Sequence, residues 1–386
     1  MTIPGPTSTR PAAAAQPPLL AASGLTKHFP VHQPVLSWGA RRLGRGAARG
    51  ANGTAPVVHA VEDVTLALPA AHVTAVVGES GSGKSTLARM LARLIKPTAG
   101  QILLSGQPVG AGGHRRREYA RQVQLVLQDP FASLNPVHDV RYHLTRPLRV
   151  HQLAGEAGNL DAALAGLLER VSLTPADQFL SKYPHELSGG QRQRVAIARA
   201  LAVQPRVLLA DEPVSMLDVS IRLGILNLLA GLRDQEGLAI LYITHDIASA
   251  RYLAEEIVVM YAGQVAETGP AGQVTDEPAH PYTQLLLSAA PDPDRAAPPS
   301  LQARGSPPSL VSPPSGCRFH PRCPYAMRVC AAATPPLIET GAGHRSACWL
   351  HAQDLGAGQS RPITSTPAGR PAAASQPGPG HDEEVP

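Results

Sequence analysis

The sequence predicts an α/β fold, with a mainly parallel core sheet and helices on both faces. A helical subdomain and a small cysteine-containing C-terminal extension are attached to it. Three observations predict this. Residues 73–86 pass from an apolar strand through a glycine-rich loop into a helical pattern. Apolar strand patterns at 206–210 and 238–244 alternate with helical patterns at 191–203 and 222–232, as crossover-linked parallel strands require. Residues 130–188 then break the alternation with short amphipathic segments such as Ala162 to Val171.

The glycine-rich loop is the stretch the rest is organised around. Gly78 to Ser85 read G-x-x-x-x-G-K-S, the phosphate-binding loop motif. Gly78, Gly81 and Gly83 let the backbone curl so that several N–H groups face one anion. A helix starting near Lys84 adds its positive end. Lys84 is expected to reach the β- and γ-phosphates of a nucleotide, and the Ser85 hydroxyl to hold Mg²⁺. The plainer reading, a Gly/Ser turn that matches by chance, does not account for a strand before the motif and Leu87 to Leu91 after it.

The remaining elements follow in chain order. Residues 1–21 are rich in Pro, Ala, Ser and Thr and are expected to be disordered. Gly24 to Val31 reads as a first strand. Residues 36–56 form a Gly/Arg/Ala insertion, read as a flexible loop or as a contact to anionic lipid or a partner. Val57 to Leu68 alternates as a half-buried strand does, and Gly100 to Val109 is a short strand region turning at Ser105-Gly106. The helical subdomain, 130–188, is interrupted by Pro136, Pro147, Pro175 and Pro184. Ile257 to Tyr261 and Gln264 to Thr268 form a hairpin pattern across Ala262-Gly263. The extension spans 291–352, and 353–386 reads as a disordered tail.

Composition narrows the function. Aromatic residues make up 4%, so the core rests on Leu, Val, Ile and Ala. The net charge of +5 suggests nucleic acid until it is located. Residues 1–56 hold six of the 34 basic residues and no acidic one, which leaves 28 against 29 acidic residues elsewhere. No basic footprint for nucleic acid remains. No apolar run approaches the ~18–20 residues of a membrane span, and no secretory signal pattern opens the chain. A cytosolic chain is expected, held at any membrane by other proteins.

Further motifs surround the loop. Val207 to Glu212 is an apolar strand ending in two carboxylates; Asp211 suits the Mg²⁺ shell, and Glu212 is placed to orient or deprotonate an attacking water. Leu187-Ser188-Gly189-Gly190-Gln191 precedes a helix and offers a second set of phosphate donors. Gln128 stands at the entry to the helical subdomain, and His245 follows the last core strand. Singly these are weak; in this order and spacing they are specific. The set resembles the nucleotide-binding subunit of ABC transporters over roughly residues 22–290, with Ser215-Met216-Leu217-Asp218 as the D-loop, where the family more often has Ala at the Met216 position.

The resemblance implies that Gly78, Ser80, Gly81, Ser82, Gly83, Lys84, Ser85 and Thr86 cradle ATP, that Phe29 stacks on adenine (or is simply a core strand residue), and that Ser85, Gln128 and Asp211 serve Mg²⁺. Glu212, His245 and Gln128 become the catalytic set. Leu187 to Gln191 and Asp218 act on the ATP of a second subunit. It also implies an antiparallel β subdomain beside the core sheet, a second ABC ATPase subunit, identical or related, two transmembrane permease subunits, an extracytoplasmic substrate-binding protein, and residence on the cytoplasmic face of the cell membrane.

All four cysteines, Cys317, Cys323, Cys330 and Cys348, fall in the extension with spacing C-x5-C-x6-C-x17-C. Clustered cytosolic thiols favour metal or iron–sulfur ligation over disulfides. Four thiolates suit zinc or a 4Fe–4S cluster, and unmetallated thiols stay open as a third reading. The spacing, with His280-Pro281-Tyr282-Thr283 ahead of it, resembles the C-terminal extension of dipeptide/oligopeptide importer ATPases, some of which carry 4Fe–4S. The leading expectation is therefore an ATPase powering di- or oligopeptide import. Its rivals are import of another cargo (nickel, glutathione or a sugar), a soluble ABC ATPase of translation or DNA repair, and a redox-sensing regulator.

Overall fold

The computed structural model describes residues 17–31, 56–110, 113–153, 157–289 and 305–352. The 36–56 insertion, save Pro56, and the 353–386 tail lie outside the described residues, as do 1–16. In chain order the elements are β1 (Leu20–Pro30), β2 (Val57–Leu68), β3 (His72–Val77), α1 (Lys84–Leu91), β4 (Ala99–Leu104), β5 (Gln107–Pro108), α2 (Gly113–Gln122) and β6 (Val123–Val126). The helical subdomain holds α3 (Pro130–Ser133), α4 (Val140–Val150), α5 (Ala157–Arg170) and α6 (Asp177–Leu180). Then come α7 (Gly189–Leu201), β7 (Val207–Asp211), α8 (Val219–Glu236), β8 (Ala239–Thr244), α9 (Ile247–Leu253), β9 (Glu256–Tyr261), β10 (Gln264–Pro270), α10 (Ala271–Asp276) and α11 (Pro281–Ala289). The extension contributes α12 (Arg328–Ala332), β11 (Ile338–Gly341) and β12 (His344–Ser346).

Two sheets result. An antiparallel one runs β2-β1-β4-β5, and an eight-stranded one runs β11-β12-β10-β9-β3-β8-β7-β6. Within the larger sheet β9, β3, β8, β7 and β6 are mutually parallel. Alternation explains why both its faces are covered. In β3, Val73, Ala75 and Val77 enter the core shared with α4, α5, α7 and α8, while Val76 enters the core beneath α1 and the antiparallel sheet. β8 divides likewise, Ile240 and Tyr242 against Leu241 and Ile243. Strands buried on both sides read as unbroken apolar runs.

The sequence reading needs three adjustments. β1 starts at Leu20, ahead of the expected Gly24, because Leu20 pairs with both Leu68 and Leu104 and is fully buried. Residues 17–21 are thus structured. Pro147 lies inside α4 instead of breaking it; the helix is started by Asp139, whose carboxylate accepts the Tyr142 N–H at 2.8 Å. The extension is joined to the core sheet, since β12 pairs with β10 at Glu267↔Ser346 and Thr268↔Arg345.

Candidate active site at the edge of the parallel strands

Register builds the site. Val77 pairs with Thr244, Ile243 with Asp211, and Ala210 with Val126. The residues that follow these positions (Gly78, His245, Glu212 and Gln128) therefore meet at the C-terminal edge of four adjacent parallel strands, where α/β sheets bind ligands. They border a cavity of about 580 Å³ lined by Ala60, Ser80, Gly81, Gly83, Lys84, Ser85, Thr86, Gln128, Glu212, His245 and Leu310.

The loop is shaped for an anion. A Cβ on Gly78 would collide with the Met260 carbonyl oxygen, and one on Gly83 with that of Ala60. Gly83 has a φ of 102°, a left-handed conformation that favours glycine. It precedes α1 without a side-chain cap, so the helix's first N–H groups are left for a ligand. Lys84 is 4% exposed, and its Nζ donates to the Gly78 carbonyl at 2.7 Å, the Glu79 carbonyl at 2.9 Å and Ser82 Oγ at 3.4 Å. Burial pushes its pKa down, while Glu212, Asp211 and Glu79 oppose that.

Two oxygens stand ready for a hard cation. Ser85 Oγ donates to Asp211 Oδ1 at 3.0 Å, and burial, reinforced by the Glu212 charge, pushes the Asp211 carboxyl up. A hydroxyl and a carboxylate are donors that suit Mg²⁺. Glu212 sits with φ at 47°, a left-handed conformation unusual for a side-chain-bearing residue and typical of functional positions. Its N–H donates to the Ile243 carbonyl at 2.9 Å. Its Oε2 receives the Gln128 amide at 3.0 Å and lies 3.3 Å from His245 Nδ1. Of the three residues expected to be catalytic, Gln128 and His245 thus both meet Glu212.

The signature lies elsewhere. Ser188 caps α7: Ser188 Oγ accepts the Gln191 N–H at 3.3 Å, and Gln191 Oε1 accepts the Ser188 N–H at 2.9 Å. A Cβ on Gly190 would strike Ile221 of α8, which fixes the helix start against the D-loop segment. Leu187 to Gln191 do not line the cavity, nor does Asp218, which precedes α8. Phe29 is likewise not among the lining residues; it pairs with Val58 on β1, with Lys27 Nζ 4.9 Å over its ring.

The cysteines converge. All four line one enclosed pocket with His280, Phe319 and Trp349, and none is in a disulfide. Burial pushes the Cys323 thiol up to about 12, Cys348 up to about 11, and raises Cys317. Among the described residues no three cysteine sulfurs fall within 4.8 Å of one another. A single tetrahedral zinc, with Zn–S of ~2.3 Å, would need its sulfurs about 3.8 Å apart.

Sequence reasoning missed what ties this extension to the site. Arg322 Nη1 and Nη2 reach both carboxylate oxygens of Glu79, inside the phosphate loop, at 2.9 and 3.1 Å. The Glu79 N–H donates to Tyr282 Oη at 2.8 Å. Arg318 pairs with Glu62 at 3.1 Å. Leu310 accepts the His59 N–H at 2.9 Å and borders the nucleotide-sized cavity. An acid within a phosphate loop was the available signal, because beside an anion it calls for a counter-charge.

A glycine-built anion cradle, a lysine aimed into it and a carboxylate on a strand end define a P-loop nucleotide hydrolase. Residues 61–215 match the family described as ABC transporter, and residues 266–330 the oligopeptide/dipeptide transporter C-terminal region. The chain is 42% identical over 336 residues to a "probable peptide ABC transporter ATP-binding protein" of Sinorhizobium fredii, covering 86% of this chain and 90% of that one. It is 41% identical over 324 residues to a di/tripeptide transport ATP-binding protein of Pseudomonas aeruginosa, covering 83% and 94%. The dimeric structure of the bacterial ABC transporter cassette MJ0796 matches with a TM-score of 0.53 at 26% identity, over 65% of this chain and 98% of that one. The chain belongs to the ATP-binding subunits of ABC transporters, of the oligopeptide/dipeptide importer type. It is the ATPase of a peptide importer. No helix among the described residues is long and apolar enough to cross a membrane.

Proposed function

We propose that this chain supplies half of each of two shared ATP sites, and that closure of a two-subunit ATPase drives import of di- or oligopeptides through two membrane-embedded permease subunits. The observation that carries the reading is the separation within one chain. The cavity holds the phosphate loop, Gln128, Glu212 and His245, while the capped signature at Ser188 to Gln191 stands outside it. A second subunit would bring its signature to this cavity. Met216 and Val219, beside Asp218, are 62% and 79% exposed, apolar surface suited to such a partner.

In this reading the loop amides, the α1 N-terminus and Lys84 hold the phosphates, and Ser85, Asp211 and Gln128 would hold Mg²⁺, which neutralises charge on the transferring group. Glu212 orients the attacking water and takes its proton; Gln128 and His245 fix the carboxylate that does so. The helical subdomain, with Val137 and Tyr142 exposed, carries the movement to the permeases. Phe29 flanks the adenine side. An extracytoplasmic binding protein delivers the peptide, and the chain sits peripherally on the cytoplasmic face of the membrane.

Cys317, Cys323, Cys330 and Cys348 would hold a 4Fe–4S cluster, supported by their convergence on one pocket. When bound it would cross-link the extension and could store an electron. An anaerobic preparation should be brown with the broad visible absorption of a cluster; a colourless one with stoichiometric zinc would overturn this.

The transport reading is tested with the assembled importer in vesicles. ATP-dependent uptake of a labelled dipeptide is expected, and loss of uptake in Lys84→Ala. Co-purification with ribosomes or DNA, without membrane subunits and without uptake, would contradict it.

A further inference from the structure

We propose that the cysteine-bearing loop 317–323 holds the phosphate loop in its nucleotide-binding shape, with Arg322 as the positioning residue. This rests on the cavity being the ATP site.

Glu79 is the second residue of the phosphate loop, and every polar group it owns is held. Its carbonyl accepts from Lys84 Nζ at 2.9 Å, its N–H goes to Tyr282 Oη at 2.8 Å, and its carboxylate takes both Arg322 nitrogens at 2.9 and 3.1 Å. Tyr282 and Arg322 both lie beyond β10. Arg322 is 7% exposed and also donates to Tyr261 Oη at 3.2 Å, so the guanidinium is fixed in a fork on the half-buried Glu79 carboxylate. A second thread runs in parallel. Arg318 donates to the Ala262 carbonyl, and the next residue, Gly263, gives its N–H to the Ser82 carbonyl of the phosphate loop at 2.9 Å.

Each arginine is the neighbour of a cysteine, Arg318 of Cys317 and Arg322 of Cys323. Successive tight turns fix both: the His320 N–H reaches the Cys317 carbonyl at 3.0 Å, Arg322 N–H the Phe319 carbonyl at 2.9 Å, and the Cys317 N–H ties the loop to the Cys330 carbonyl at 2.8 Å. Whatever orders the four thiols therefore orders the two guanidinium groups.

The electrostatics give the arrangement a purpose. A carboxylate at the rim of a site for a polyanion repels its ligand and competes for Lys84, whose charge it already feels. Pairing with Arg322 cancels the charge and turns the side chain away. Releasing Glu79 should then harm binding more than deleting it.

The test is MgATP affinity of the purified full chain, by calorimetry, in a double-mutant cycle. Arg322→Ala is expected to weaken binding about tenfold, and Glu79→Ala roughly threefold or less. The double variant should return to the Glu79→Ala value, and Arg322→Lys should recover part of the loss. In the assembled importer KM for ATP should rise more than kcat falls. An Arg322→Ala chain that binds MgATP within about twofold of the native one, or a double variant showing the product of both losses, would overturn the proposal. If Arg322→Ala does not fold, Arg322→Lys and Glu79→Gln carry the same comparison. A native chain that binds no MgATP would instead remove the reading of the cavity on which this rests.

Discussion

The edge of the parallel strands and the cysteine extension are both polar clusters, and they are built in opposite ways. At the strand edge the α1 N-terminus is uncapped, Lys84 points into a cavity of about 580 Å³, and Glu212 sits in a left-handed conformation. Where the extension packs on β9, β10 and α11, the groups are closely packed and mostly paired. Glu267, fully buried, accepts the Ala279 and His280 N–H groups at 2.8 Å and meets His344 at 2.6 Å. Tyr261, Tyr282, Phe319 and His280 pack ring on ring, at centroid distances of 4.5 to 5.7 Å. The first region leaves backbone N–H donors free for a ligand, and the second ties its carboxylates and rings into the fold. Substitutions at the strand edge should change chemistry, and those in the aromatic cluster stability, with Arg322 a link between the two.

The sharpest way to break that contrast is Glu212→Gln. Turnover should fall about 10²–10³-fold, as when a preorganised catalytic group is lost, while bound ATP persists; hydrolysis assays beside measurement of retained nucleotide check both halves. Phe319→Ala should do the reverse. With the ring 3% exposed at the centre of the aromatic cluster, its loss should cost about 3–5 kcal/mol, read as a lower unfolding midpoint with ATP affinity changed far less. A comparable fall in affinity without destabilisation would erase the distinction.

The smallest effect is one of pH. Burial depresses His280 from the usual histidine value to about 3, with His351 adding to it, so the folded chain keeps it neutral. The unfolded chain takes up a proton below ~6.5, and stability contributed by the neutral ring is lost as pH falls through that value. The slope is about 1.4 kcal/mol per pH unit for one group. The unfolding midpoint should therefore drop between pH 7 and pH 5, and His280→Asn, which keeps an acceptor for the Tyr282 N–H, should flatten the dependence. An equally steep drop in that variant would place its source elsewhere.

What could be read in the sequence follows the same divide. The phosphate loop, the Val207 to Glu212 strand and the Ser188 cap are local motifs, in which spacing along the chain already fixes the geometry. The contact of Gln128 with Glu212 is a matter of register between β6 and β7 and could only be expected through the resemblance. β6, β11 and β12 went unread because strands of four, four and three residues carry too little alternation. The cysteine spacing was plain, yet its purpose was hidden, since Arg322 and Glu79 meet across 243 residues. Nothing local marks such a pair.

Most directly at stake is the claim that the nucleotide pocket in this chain is half of a catalytic site. Gly189→Asp places a charge in the signature, away from the cavity, and its MgATP affinity and turnover can be measured side by side in the assembled importer. Unchanged binding with turnover reduced about 10²-fold or more is the expected result; native turnover would contradict a shared site, and lost binding would mean the signature belongs to this chain's own pocket.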